Sequence, residues 1–122
     1  MANHNDTGNK GEMLAAQYLI SHGFEILSTN WHSQHREVDI IARKNGLIVF
    51  VEVKTRSSDQ WQRPEESVDA RKQKLLIEAA GDYMANYPDD AEARFDVVSV
   101  VLNANGDVKI THFPEAFIPE LS

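Results

Sequence analysis

Residues 36–54 read Arg-Glu-Val-Asp-Ile-Ile-Ala-Arg-Lys-Asn-Gly-Leu-Ile-Val-Phe-Val-Glu-Val-Lys, and the fold turns on how they pair. Two runs rich in Val, Ile and Phe, Glu37 to Arg43 and Leu47 to Lys54, flank Asn45-Gly46, a dipeptide suited to a two-residue hairpin turn. A type I′ turn there pairs Lys44 with Leu47, and the same register sets Asp39 opposite Glu52 and Glu37 opposite Lys54. Directly opposed residues share a face with Cβ atoms about 5 Å apart, so the two carboxylates repel unless a cation or proton lies between them. A three-residue loop would instead oppose Asp39 to Val51 and turn Glu52 to the other face. Alternation places Glu52 and Lys54 on one face with Ile48 and Phe50, and Glu37 and Asp39 on one with Ile41.

Upstream of the hairpin, Asp6 or Thr7 suits the cap of a helix that carries Met13, Leu14, Ala16, Tyr18 and Leu19 on its apolar side and stops at Gly23. Phe24 to Asn30 reads as a strand. Downstream, Thr55 to Ser67 lacks any period and reads as a loop, and Ser67 to Asn86 follows as a helix with Val68, Leu75, Leu76, Ala79, Tyr83 and Met84 near helical spacing. Pro88-Asp89-Asp90 ends that helix, and Phe95 to Leu102 and Val108 to Phe113 are strands around Asn105-Gly106. The order predicts an α/β domain with a mixed central β-sheet flanked by helices. The 122 residues, 42% hydrophobic and 25% charged, suit one domain over 1–122, with 114–122 as its C-terminal tail.

Zero cysteines exclude disulfide frameworks, thiol nucleophiles and cysteine zinc sites, and they suit a reducing cytoplasm. The first dozen residues hold no apolar stretch of signal-peptide type, and the longest aliphatic or aromatic run is Leu47 to Val51, so no membrane partner is expected. A net charge of -7 argues against coating nucleic acid by charge alone. Residues 31–74 nevertheless carry nine of the 12 Lys and Arg against seven of the 19 Asp and Glu, which makes the middle of the chain the candidate anion-facing surface.

Gly11-Glu12, Glu37-Val38-Asp39-Ile40-Ile41-Ala42, Val49-Phe50-Val51-Glu52-Val53-Lys54-Thr55-Arg56, Lys72 and Arg94-Phe95-Asp96-Val97-Val98 together resemble the successive motifs of the YraN-like family of predicted endonucleases. That family is placed in the PD-(D/E)XK nuclease superfamily, near the archaeal Holliday junction resolvases. The resemblance implies a restriction-endonuclease-like fold and a metal-dependent endonuclease acting on DNA, with branched or damaged DNA as candidate substrates and a homodimer if the junction resolvases are a guide. It implies further that Asp39 and Glu52 are the acidic metal ligands, Lys54 the catalytic lysine and Glu12 the acid of the first helix, while Lys72 matches a helix position. Arg36 departs from the pattern, standing where many members have glycine.

The chemistry explains these residue types. Phosphodiester hydrolysis needs a nucleophile made from water and relief of charge on the transition state, and Mg²⁺ or Mn²⁺ contributes to both. Asp39 and Glu52 offer the hard oxygens such ions prefer, with the Val53 carbonyl, waters and phosphate oxygens to complete the shell. Lys54 is then expected to orient the attacking water or stabilise phosphate charge. Arg36, Arg56, Arg63 and Lys72 are the candidate nucleic-acid contacts.

Each residue also has a plainer explanation. Glu37 and Lys54 suit a cross-strand surface pair, worth only about 0 to 1 kcal/mol, and Glu12 in a first helical turn is favoured by the helix dipole. Trp61 beside Arg63 suits a clamp on the core or a dimer contact as well as a stacked base, and Arg71, Lys72 and Lys74 suit a solvated helix face. His32 and His35, without Cys or HExxH around them, do not make a zinc site. A noncatalytic adaptor of the same fold and an RNA nuclease stay open as alternatives.

Overall fold

The computed structural model describes residues 4–57 and 68–119. Its elements run α1 (His4–Ser21), β1 (Glu25–Ser33), β2 (Arg36–Lys44), β3 (Leu47–Ser57), α2 (Ala70–Ala85), β4 (Glu92–Leu102) and β5 (Val108–Phe117). The five strands form one sheet in the order β1-β2-β3-β4-β5. Every neighbouring pair is antiparallel except β3 and β4, whose parallel connection passes through α2. A mixed sheet with helices against it is the α/β arrangement expected from the element order, and it is consistent with the restriction-endonuclease-like fold that the motif resemblance implies.

The alternation of β3 builds two cores. Ile48 and Phe50 enter the one that α2 closes with Leu76, Ala79 and Ala80, while Val49 and Val51 enter the one that α1 closes with Ala15 and Leu19. Each fully buried aliphatic or aromatic side chain contributes roughly 1.5 to 3 kcal/mol, so a central strand buried on both faces anchors the sheet. Phe50 stacks on Phe95 at 5.7 Å, and Phe95 on Phe117 at 5.1 Å, carrying the α2-side core across three strands to the sheet edge.

Two left-handed residues, Asn45 and Gly46, make the hairpin turn as expected, and Lys44 pairs with Leu47. The helix faces are less simply periodic. Met13 is 54% exposed, and the line that touches the sheet is Gly11, Ala15 and Leu19, each one turn from the next. A Cβ at Gly11 would lie 1.8 Å from the Thr55 Oγ1, so only glycine lets α1 approach β3 so closely. The first helix begins at His4, ahead of the expected cap, whereas α2 begins after Asp69, whose carboxylate accepts the Lys72 N–H at 2.9 Å.

Strands β1, β3 and β5 run past their expected ends to Ser33, Ser57 and Phe117, so Thr55 and Arg56 are strand and not loop. Pro114 is accommodated because β5 is an edge strand. The β4–β5 register shifts between Phe95 and Val97, and Asp96 fills the irregularity. Its Oδ1 accepts from Arg94 Nε at 2.9 Å and the Glu115 N–H at 3.0 Å; its Oδ2 takes Arg94 Nη2 at 2.8 Å and His112 Nε2 at 2.7 Å. Burial acts to raise the Asp96 pKa, and the bonds from His112, Arg94 and the Glu115 N–H more than offset it, holding the carboxyl below its ordinary range. No described helix is long and apolar enough to cross a membrane. Trp61 and Arg63 lie outside the described residues.

Candidate active site

The site forms where β2 and β3 part. Their ladder runs from Lys44 paired with Leu47 to Ile40 paired with Val51, in the register expected, and stops there. Asp39 and Glu52 are the next residues on each strand, but they are not a ladder pair. The Asp39 carboxylate instead accepts the Val53 N–H at 2.9 Å, a side chain standing in for a strand partner.

A break in alternation accompanies the parting. Val38 and Ile40, two residues apart, belong to opposite cores, and Val38 shares the α2 side with Ile41. The expectation that Glu37 and Asp39 continue the Ile41 face therefore fails, because a regular period cannot place Val38 and Ile41 on one side. Asn30 on β1 lies at the same level, between the Thr29–Ile40 and Trp31–Val38 pairs, and takes a left-handed conformation with φ 51°. Glu37 faces His32 at 3.8 Å, and Lys54 is not its partner.

Glu52 follows Phe50 on the α2 side of β3, as its spacing predicts, and is only 5% exposed. Two ammonium groups from different elements converge on its Oε1: Lys54 from β3 at 3.5 Å and Lys72 from the first turn of α2 at 3.7 Å. Both separations are long for N–H···O bonds, so the charge is partly balanced without the oxygen being saturated. The other oxygen, Oε2, is buried with no hydrogen-bond partner. Burial and then the charge of Asp39 push Glu52 up to about 7, against the opposing charges of Lys72 and Lys54.

Asp39 is also raised, chiefly by burial, with the Val53 N–H and the Lys72 charge acting the other way. Glu12, the residue after the close-approach glycine, completes the acidic group: burial and the nearby Asp39 raise its pKa, while the Asn30 side chain opposes them. The structure thus brings Glu12, Asp39, Glu52, Lys54 and Lys72 to one locality, with Val53 joined to Asp39 through its N–H.

Not all the basic candidates face this locality. Arg36 is tied to Asp82 on α2 at 2.7 Å, with Glu78 at 3.7 Å and Ser33 donating to the same Asp82 oxygen. It braces β2 against the helix instead of presenting an open guanidinium. Arg56, two residues beyond Lys54 on β3 and so on its face of the strand, is half-buried beside Val101. Sequence reasoning missed Asn30, whose position beside Glu12 depends on a left-handed residue inside a strand, and it read Lys72 without its Glu52 contact.

The donor set suits a hard divalent ion. A buried carboxylate oxygen without a partner, next to a second acid, is a group that a cation satisfies and a hydrophobic core does not. Among the described residues no three His, Asp or Glu side chains are grouped to hold a metal ion, so an ion on Asp39 and Glu52 would need water and substrate oxygens as its other ligands.

Comparison with known proteins finds relatives along most of the chain. Residues 11–100 match the model of an uncharacterised protein family, UPF0102. A UPF0102 protein of Porphyromonas gingivalis is 48% identical over 118 residues, covering 96% of this chain and 87% of that protein. Another, from Bacteroides thetaiotaomicron, is 45% identical over 121 residues, 99% of each chain. A third, from Flavobacterium psychrophilum, is 44% identical over 117 residues, 96% of this chain and 98% of its own.

Proposed function

The chain belongs to the uncharacterised protein family UPF0102, and on that premise we propose that it is a metal-dependent endonuclease of the PD-(D/E)XK type, hydrolysing phosphodiester bonds in DNA. The observation that carries the reading is Glu52: a buried carboxylate with one bare oxygen, beside Asp39 and under two lysines. A structural acid would be saturated, as Asp96 is. Glu52 has instead the deficit that a bound cation fills.

Asp39 and Glu52 would hold Mg²⁺ or Mn²⁺, with the Val53 carbonyl as a further candidate donor. When bound, such an ion supplies a water of lowered pKa and neutralises charge on the phosphate. The Val53 N–H fixes the Asp39 carboxylate, so part of the ligand geometry is set by backbone. Lys54 sits on the Glu52 side of β3 and is 26% exposed, close enough to the acids to orient water and open enough to meet a phosphate oxygen. Glu12, with its raised pKa, is suited to hold a water or proton at the rim. The motif resemblance favours DNA with a branched or otherwise distorted shape, because the net charge of -7 gives ordinary duplex little nonspecific attraction.

The test is cleavage of labelled four-way junction, flap, duplex, single-stranded DNA and RNA in Mn²⁺, with Asp39→Ala and Lys54→Ala proteins purified in parallel. The expected result is cutting of at least one DNA substrate by wild type and a loss of about 10²-fold or more in each variant. No cutting, or equal cutting by the variants, would overturn the proposal.

A further inference from the structure

The nuclease reading uses one lysine, yet the site has two. A cavity of about 320 Å³ opens beside Glu52, lined by Lys54, Asp69, Arg71, Lys72 and Leu75. Its charge is lopsided. Among the described residues three cations face it against one acid, and that acid already accepts the Lys72 N–H as the cap of α2. In a chain with 19 acidic and 12 basic residues, a recess with this balance calls for an anion. The recess is open to solvent and wide enough to take a phosphate with part of its sugar or hydration shell.

Lys54 and Lys72 both line the recess and both reach Glu52, so the recess is continuous with the candidate metal ligands. The two lysines differ in position. Lys54 lies within the strand at 26% side-chain exposure, whereas Lys72 stands on the helix at 38% and rests 3.7 Å from Glu52, too far for a firm hydrogen bond. A divalent ion on Asp39 and Glu52 would repel the Lys72 ammonium from that contact, and the recess is where a phosphate would receive it.

We propose that this recess is a phosphate subsite for the substrate strand, holding the phosphate next to the scissile one through Arg71 and Lys72, with Lys72 balancing Glu52 until metal replaces it there. The subsite rests on the nuclease reading for the position of the scissile phosphate. Lys72 has two roles in sequence: counter-ion to the empty acid pair, then ligand to the bound strand. Arg71 has only the second, since its side chain is exposed and the structure gives it no contact with Glu52.

This asymmetry yields a test with two readouts, neither of which requires cutting. Full-length wild type, Arg71→Ala, Lys72→Ala and, as a control on β5, Lys109→Ala are titrated with a labelled DNA strand in Ca²⁺ between about 50 and 200 mM salt. The same proteins are then titrated with Mn²⁺ in the absence of DNA. Arg71→Ala and Lys72→Ala should each weaken DNA binding about five- to tenfold and lower the salt slope by about one, while Lys109→Ala changes neither. Lys72→Ala should tighten Mn²⁺ several-fold, and Arg71→Ala should leave it unchanged.

Wild-type DNA affinity in both variants would overturn the subsite, and weaker Mn²⁺ binding in Lys72→Ala would overturn the exchange at Glu52. Arg71→Ala is the safeguard against misfolding, because the residue is exposed. A protein that shows both effects but cuts none of the substrates would overturn the nuclease reading, and with it the scissile neighbour, and leave the recess as a DNA phosphate site alone. A protein that cuts while both variants bind normally would overturn the subsite alone.

Discussion

Asp96 and Glu52 are buried acids on neighbouring parallel strands, one residue level apart: Asp96 lies beside Val51, and Glu52 beside Val97. They point to opposite faces of the sheet, Asp96 with the α1-side residues Val98 and Val100, Glu52 with the α2-side residue Phe50. Their treatment is opposite as well. Asp96 receives four hydrogen bonds and its pKa is lowered; Glu52 has two long contacts to one oxygen, none to the other, and a pKa pushed up to about 7. Burial alone therefore does not mark a functional acid. On the proposed function the deficit of partners does, because a low-dielectric site penalises the unpaired charge and leaves it available to an incoming cation.

The largest effect should come from breaking the saturated side. Asp96→Ala leaves the Arg94 guanidinium, only 24% exposed, and the Glu115 N–H without their acceptor, so chemical denaturation should show a loss of about 3 to 5 kcal/mol. A loss under about 1 kcal/mol would mean that Asp96 is no better paired than Glu52. The charge signs also predict opposite pH behaviour. The lowered Asp96 pKa contributes stability above the ordinary carboxylate range that is lost as acid protonates it.

Glu52 should behave in the reverse sense. Because its folded pKa is raised, the metal-free protein binds more protons than the unfolded chain between about pH 4.5 and 7, and this residue's contribution to stability falls as pH rises through that window. In chelator at about pH 8, Glu52→Gln should therefore stabilise the protein by about 1 to 3 kcal/mol, with the gain vanishing near pH 4. Destabilisation at the higher pH would contradict the unsatisfied carboxylate. A smaller effect concerns how Glu12 reaches the site: Gly11→Ala drives a Cβ into Thr55 and should cost about 1 to 3 kcal/mol in the same denaturation assay. An unchanged midpoint would show that α1 sits farther from β3.

The contrast between the two acids was only half legible in the sequence. Asn45-Gly46 sets the hairpin register from local chemistry alone, and strand alternation then places Glu52 and Lys54 on one face, so that side of the site could be read directly. The end of the ladder at Asp39 could not. It arises because Val38 and Ile40 satisfy different cores, a tertiary demand that overrides the period of β2. Asp96 read as one residue of an apolar strand, since two of its partners, His112 and Glu115, lie 16 and 19 positions away and one of them donates a backbone N–H. Met13 was misplaced for a related reason: close approach at Gly11 fixes which stripe of α1 meets the sheet, and helical periodicity alone does not.

On the proposed function, Glu52 is left unsatisfied so that it can take a cation. Calorimetric titration of Mn²⁺ into chelator-stripped protein at about pH 8, with wild type, Asp39→Ala, Glu52→Gln and Asp96→Asn side by side, tests it most directly. Mn²⁺ binding should be lost in Asp39→Ala and Glu52→Gln and kept by whatever fraction of Asp96→Asn remains folded. Absence of binding in wild type, or binding that survives the loss of Glu52, would contradict it.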